Sequence, residues 1–106
     1  MHFLGALALG SALIKRGLQP GDVVGVCAPN CVEFMMAMLA VPGVGAIVSP
    51  INQALSAQEI EGQLQMTKTK FVITTEEFVP VVAEAVSAVG GMVEVGGIIL
   101  LSRTFY

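Results

Sequence analysis

The sequence predicts an α/β fold: a parallel four-stranded sheet with flanking helices, an α/β/α layer. Four runs rich in β-branched residues begin at positions 23, 46, 71 and 98, a spacing of about 25 residues that suits repeated strand-helix units. None of these runs alternates apolar with polar residues. Continuous apolar runs suit strands buried on both faces of a parallel sheet. The segments between them open on helix-capping patterns. A chain of 106 residues has room for one modest core. Its 12% of charged residues is roughly half of what soluble domains usually carry.

The elements follow in order. A first helix is expected over residues 3–16, closed by Lys15 and Arg16 in its last turn and by Gly17 as a left-handed C-terminal residue. Gln19-Pro20-Gly21-Asp22 then turns the chain into a strand near 22–28. Asn30-x-x-Glu33 reads as a capping box for a helix over 31–41. That helix is apolar all round and so requires cover all round; core packing is the plainer account of Met35, Met36 and Met38, with a plastic binding surface as the alternative. Pro42-Gly43 should end it, because continuing through Pro42 costs about 3 kcal/mol in a helix interior. A strand near 45–49 follows. A second capping box, Ser56-x-x-Glu59, opens a helix over 57–67 with Ile60 and Leu64 on a buried stripe and Gln58, Glu59, Glu61, Gln63 and Gln65 on a wet face. After a strand near 70–74, Thr74-x-x-Glu77 has the form of a cap, but Pro80 suits a first turn, which places a short turn at 75–79 and the main helix at 80–89. The last strand is expected at 98–101.

Composition excludes several functions. The net charge is −3, and no Lys or Arg occurs between Arg16 and Lys68, so a groove that tracks phosphates along a nucleic acid has no cations to build it. Cys27 and Cys31, with His2 as the sole histidine, fall short of a four-ligand zinc site. They read as small core side chains kept reduced, with a disulfide across a strand-to-helix turn as the alternative. The apolar stretch 1–14 has its charges after it rather than before, the reverse of a signal peptide. The uncharged stretch 34–58 is broken by Pro42, Gly43, Gly45 and Pro50, against a spanning helix. An intracellular location is the expectation. No G-x-x-x-x-G-K-[ST], G-x-G-x-x-G or G-x-S-x-G motif occurs. The acidic pairs Glu59/Glu61 and Glu76/Glu77 sit at helix starts, where the helix dipole accounts for them.

Residues 17–75 nevertheless resemble a known family. Gly17-Leu18, Gly21-Asp22-Val23-Val24, Pro29-Asn30 with Glu33-Phe34, Gly45-Ala46 with Ser49-Pro50-Ile51-Asn52, Glu59-Ile60, Leu64 and Lys70-Phe71-Val72-Ile73-Thr74 stand in the order and spacing of the early large domain of AMP-forming acyl- and aryl-CoA synthetases. This is the adenylate-forming group that includes 4-coumarate–CoA ligases and firefly luciferases. The resemblance implies that residues 1–106 form a single partial domain of a larger adenylate-forming fold. It also implies an activity for the full-length family: ATP and a carboxylic acid give acyl-AMP, and the acyl group passes to coenzyme A. ATP, Mg²⁺ and coenzyme A are the implied cofactors of that longer form, and a small carboxylic acid its partner.

The family's Ser/Thr/Gly-rich loop ending in Lys, its ribose-binding acid and its C-terminal-domain Lys lie beyond Tyr106. No catalytic, cofactor-binding or metal-binding residue is therefore carried onto this sequence, no cofactor is expected on the chain by itself, and it is expected to be inactive alone. The alternative is a non-catalytic truncated isoform or interaction module whose exposed apolar face docks on a protein partner; a small membrane-associated protein is a third reading. Residues 102–106 do not look like the family's next segment, which suggests a truncated product, and Thr104-Phe105-Tyr106 is not a peroxisomal address.

Overall fold

A computed structural model describes residues 2–29, 32–93 and 97–100. The order is α1 (His2–Lys15), β1 (Val23–Cys27), α2 (Val32–Gly43), β2 (Ile47–Pro50), α3 (Ala57–Thr67), β3 (Thr69–Thr74), a 3-10 turn (Glu76–Phe78), α4 (Val79–Ala88), a second 3-10 turn (Gly90–Met92) and β4 (Ile98–Leu100). The strands form one sheet in the order β2-β1-β3-β4, and every pairing is parallel. The expected fold class holds.

Burial on both sides of the sheet explains the absence of polar alternation in the inner strands. Val24 and Val26 of β1 and Phe71 and Ile73 of β3 face a cluster with Leu9 and Leu13 of α1 and Met36, Ala37, Ala40 and Val41 of α2. Cys27 and Val72 face the opposite cluster, with Ile60 and Leu64 of α3 and Val82 and Ala85 of α4. The edge strands differ from the sequence expectation. Ile47 at the start of β2 is 54% exposed and Leu100 at the end of β4 is 45% exposed. An edge strand has a neighbour on one side only, so its run of apolar residues is covered less completely.

Helices α1 and α2 end in the same way. Leu18 N–H donates to the Leu13 carbonyl and Gly17 N–H to Ile14, while Ala46 N–H donates to Val41 and Gly45 N–H to Pro42. Gly17 and Gly45 take φ of 100° and 83°, the left-handed residue that this double closure requires. The motif also explains why α2 runs to Gly43 with Pro42 inside it rather than stopping at Val41. In the last turn the proline forgoes one helical N–H bond, whereas its carbonyl is used by the closing glycine.

Ser56 and Glu59 form the expected capping box on α3: Glu59 N–H donates to Ser56 Oγ at 3.2 Å, and Ser56 N–H donates to Glu59 Oε1 at 2.9 Å. At the other end of α3, Lys68 is left-handed with φ 55°. The Thr74 pattern is not a cap. Thr74 Oγ1 donates instead to the Cys27 carbonyl at 2.8 Å, and α4 opens with Pro80 in its first turn. The capping box at Asn30 and the tail 102–106 lie outside the described residues. No described helix is long and apolar enough to cross a membrane.

Two stability outcomes follow from the ends of α3. Ser56→Ala should lower the unfolding free energy by about 0.5–2 kcal/mol, read as a lower denaturant midpoint. Lys68→Gly should raise it by about 1 kcal/mol, because glycine occupies the left-handed region without a Cβ clash.

Candidate functional site

In an open parallel sheet, ligands bind beyond the carboxyl ends of the strands, where neighbouring connections leave for opposite faces. Here that place is between β1 and β3. The chain leaving β1 enters α2 on one face, and the chain leaving β3 enters α4 on the other. All three strand-to-helix turns singled out in the sequence, at 28–30, 49–51 and 74–75, follow strands that end on this same side of the sheet.

The described part of the crevice is held by hydroxyls. Thr74, fully buried, donates to the Cys27 carbonyl across the two strands, and Thr75 Oγ1 donates to Glu77 Oε1 at 3.0 Å. Beside it a cavity of about 510 Å³ opens over the ends of β1 and β2, lined by Ala28, Phe34, Pro50, Ile51, Asn52 and Gln53. Asn52 folds back on its own loop, its Oδ1 accepting from Ala54 N–H at 2.9 Å. Ile51 lies across the sheet at Gly25, where a Cβ would come within 2.8 Å of Ile51 Cδ1. Glycine at 25 is thus what lets the loop after β2 close over the strand.

Gln63 is the residue that sequence reasoning missed. Assigned to the wet face of α3, it is half-buried, and its Nε2 donates to Pro50 O at 2.9 Å and Ser49 Oγ at 3.1 Å. This fixes the end of β2 beneath the cavity. Its position one residue before Leu64 and three after Ile60 places it on the border of the buried stripe, which was the available signal.

The charges are segregated. Lys15 and Arg16 close α1, and Lys68 and Lys70 flank the start of β3; all four lie at the amino end of the sheet, where Lys70 Nζ stands 3.7 Å from Asp22 Oδ1. The carboxyl end carries carboxylates at its helix starts: Glu59 on α3, and Glu76 and Glu77 before α4. Hydrogen bonds from Ser56, the backbone N–H first and the hydroxyl second, hold the Glu59 carboxyl below its ordinary value of 4.5. An anionic side chain therefore already occupies the end of α3 that would otherwise attract an anion. Cys27 is a free, buried thiol whose pKa is pushed up by desolvation, unlike a nucleophilic thiolate. Among the described residues, no three His, Cys, Asp or Glu side chains gather as a metal site. The arrangement can offer apolar walls and amide dipoles to a ligand; it brings no described cation to the carboxyl end.

A family model described as "AMP-binding enzyme" matches residues 4–104. The chain belongs to this family. Oxalate–CoA ligase of Arabidopsis thaliana is 36% identical over 77 residues, covering 73% of this chain and 15% of that protein. The 4-coumarate–CoA ligase CCL1 of Humulus lupulus is 32% identical over 84 residues, covering 79% and 15%. The inhibitor-bound N-terminal domain of FACL13 from Mycobacterium tuberculosis superposes with a TM-score of 0.83 at 28% identity, covering 98% of this chain and 26% of that one. The relatives are acyl- and aryl-CoA ligases, and the chain spans 15% of the length of those two. The resemblance read from residues 17–75 is thereby established, and it extends into both flanks.

The lowered pKa of Glu59 sets a sign for acid stability. A carboxyl whose pKa is depressed on folding adds stability above its unfolded value, and that stability is lost as pH falls through the lower folded value. Denaturant midpoints followed from neutral pH into acid should therefore fall below pH 4.5, and Glu59→Gln should flatten that part of the profile.

Proposed function

We propose that this chain is the opening α/β unit of the AMP-binding domain of an acyl- or aryl-CoA ligase. The proposal concerns a single partial domain whose role is architectural. In the complete enzyme, a carboxylate would attack the α-phosphorus of ATP, releasing pyrophosphate and forming acyl-AMP. The thiol of coenzyme A would then displace AMP. The family match across residues 4–104 is the observation that carries this reading.

The described residues do not fit a triphosphate, so no step is assigned to them. Stabilising that charge needs backbone N–H cradles and cations aimed at the phosphates. The start of α3 is already filled by its own Glu59, the approach to α4 carries Glu76 and Glu77, and Lys15, Arg16, Lys68 and Lys70 stand at the far end of the sheet. ATP, Mg²⁺ and coenzyme A belong in this reading to the longer enzyme, with a small carboxylic acid as substrate.

The test is direct. The 106-residue chain, given ATP, Mg²⁺ and a mixture of fatty and aryl acids, should release no pyrophosphate above background. Calorimetric titration with ATP should show no sub-micromolar binding. Turnover, or tight ATP binding, would mean that the chain itself carries the chemistry and that its role is more than architectural.

A further inference from the structure

We propose that the free edge of β2 is closed to pairing with a second copy of this chain, and that Pro50 and the Gln63 amide of α3 close it.

β2 is an outer strand of the sheet, and among the described residues no strand lies beyond it. Such an edge offers unpaired N–H and C=O groups to any other strand. Apolar side chains beside it would favour that pairing. Ile47 is 54% exposed at the start of β2, and Met66 is 84% exposed on α3. Both belong to the same side of the sheet. Ile47 shares its strand face with Ser49, whose Oγ meets Gln63 at 3.1 Å. Met66 follows Gln63 by three residues, on the same side of the helix.

The backbone of β2 shows how little of this edge is open. Ile47 N–H donates to the Asp22 carbonyl and Ile51 N–H to the Val26 carbonyl, both at 2.8 Å. Alternate residues of a strand turn their backbone groups to opposite edges. Residues 47, 49 and 51 therefore face β1, and 46, 48 and 50 face outward. Two of those three outward residues have no N–H to offer. Ala46 N–H donates to the Val41 carbonyl at the end of α2, at 3.1 Å, and Pro50 has none. The Pro50 carbonyl is engaged from within the chain as well. Gln63 Nε2 donates to it at 2.9 Å and turns its second proton to Ser49 Oγ. Val48 is left as the one outward donor, so two copies meeting across this edge would gain only the pair of bonds between their Val48 residues.

Amide hydrogen exchange of the full chain, read residue by residue, tests this, with sedimentation to give the mass. In the unaltered chain Val48 N–H should exchange at least tenfold faster than Ile47 and Ile51 N–H, at a rate independent of protein concentration. Pro50→Val combined with Gln63→Ala restores an outward donor and frees the outward carbonyl. In that variant Val48 exchange should slow at least tenfold as the concentration is raised, together with the appearance of a dimer. Pro50→Val with Gln63 retained should show less slowing. Adding Val48→Pro removes the last original outward N–H without touching the bonds to β1, and the dimer should be lost. Pro50→Ala with Gln63→Met, which keeps the volume of the glutamine, is the second route if the first variant does not fold.

Three results would overturn the proposal. One is Val48 protection that grows with concentration in the unaltered chain. Another is an opened variant that keeps Ile51 N–H protected, and so is folded, yet shows no change at Val48 with concentration. The third is a dimer that survives Val48→Pro, which would place the contact elsewhere. Equal slowing with and without Gln63 would remove that residue from the closure.

Discussion

Everything in this structure depends on burying the two inner strands from both sides. β1 and β3 carry Val24, Val26, Phe71 and Ile73 toward one helix layer and Cys27 and Val72 toward the other, all almost without exposure. A sheet in this position cannot tolerate a wet face, and each connection must cross over to return in parallel. Helices are thereby required on both sides. The order β2-β1-β3-β4 then places the first reversal of direction between β1 and β3. The hydrogen bond from Thr74 to the Cys27 carbonyl sits at that seam. A buried hydroxyl must find an acceptor, and here it joins the two strands that every other element packs around.

The same constraint decides what could be read from the residues. Continuous apolar runs and the Ser56–Glu59 box are local patterns, and they located the strands and α3 closely because no distant contact competes with them. Pro42 was misread because its cost depends on how the helix ends, and that ending relies on Gly45 three residues later. The edge strands were misread as buried because apolar content does not reveal strand order. Gln63 shows the limit most clearly. Its bonds to Ser49 and Pro50 span 14 and 13 residues, and no helical periodicity predicts a partner at that distance.

The candidate site was legible chiefly through what its turns lack. Ala28-Pro29 and Ser49-Pro50-Ile51 carry no run of glycines for close approach to phosphate, and the structure adds that the described cations stand at the opposite end of the sheet. Gly25 does occur beside the site, but its space is filled by Ile51 from within the chain. The absence of a side chain there serves the fold's own packing rather than a ligand. Family membership, by contrast, was carried by many weak matches in register along residues 17–75.

The strand order also sets a timetable for synthesis. β1 pairs first in sequence with β2, but its other edge waits for β3, whose Thr74 lies 47 residues beyond Cys27. Until α3 and β3 have left the ribosome, one flank of β1 has no hydrogen-bonding neighbour, and the side carrying Cys27 and Ile51 has no helix over it. At about 5–20 residues per second, that interval lasts a few seconds. Non-local parallel pairing makes this delay intrinsic to the topology. The nascent half-domain therefore leaves the Cys27 and Ile51 side of its sheet uncovered for that interval, and a pause in translation before residue 69 would prolong it.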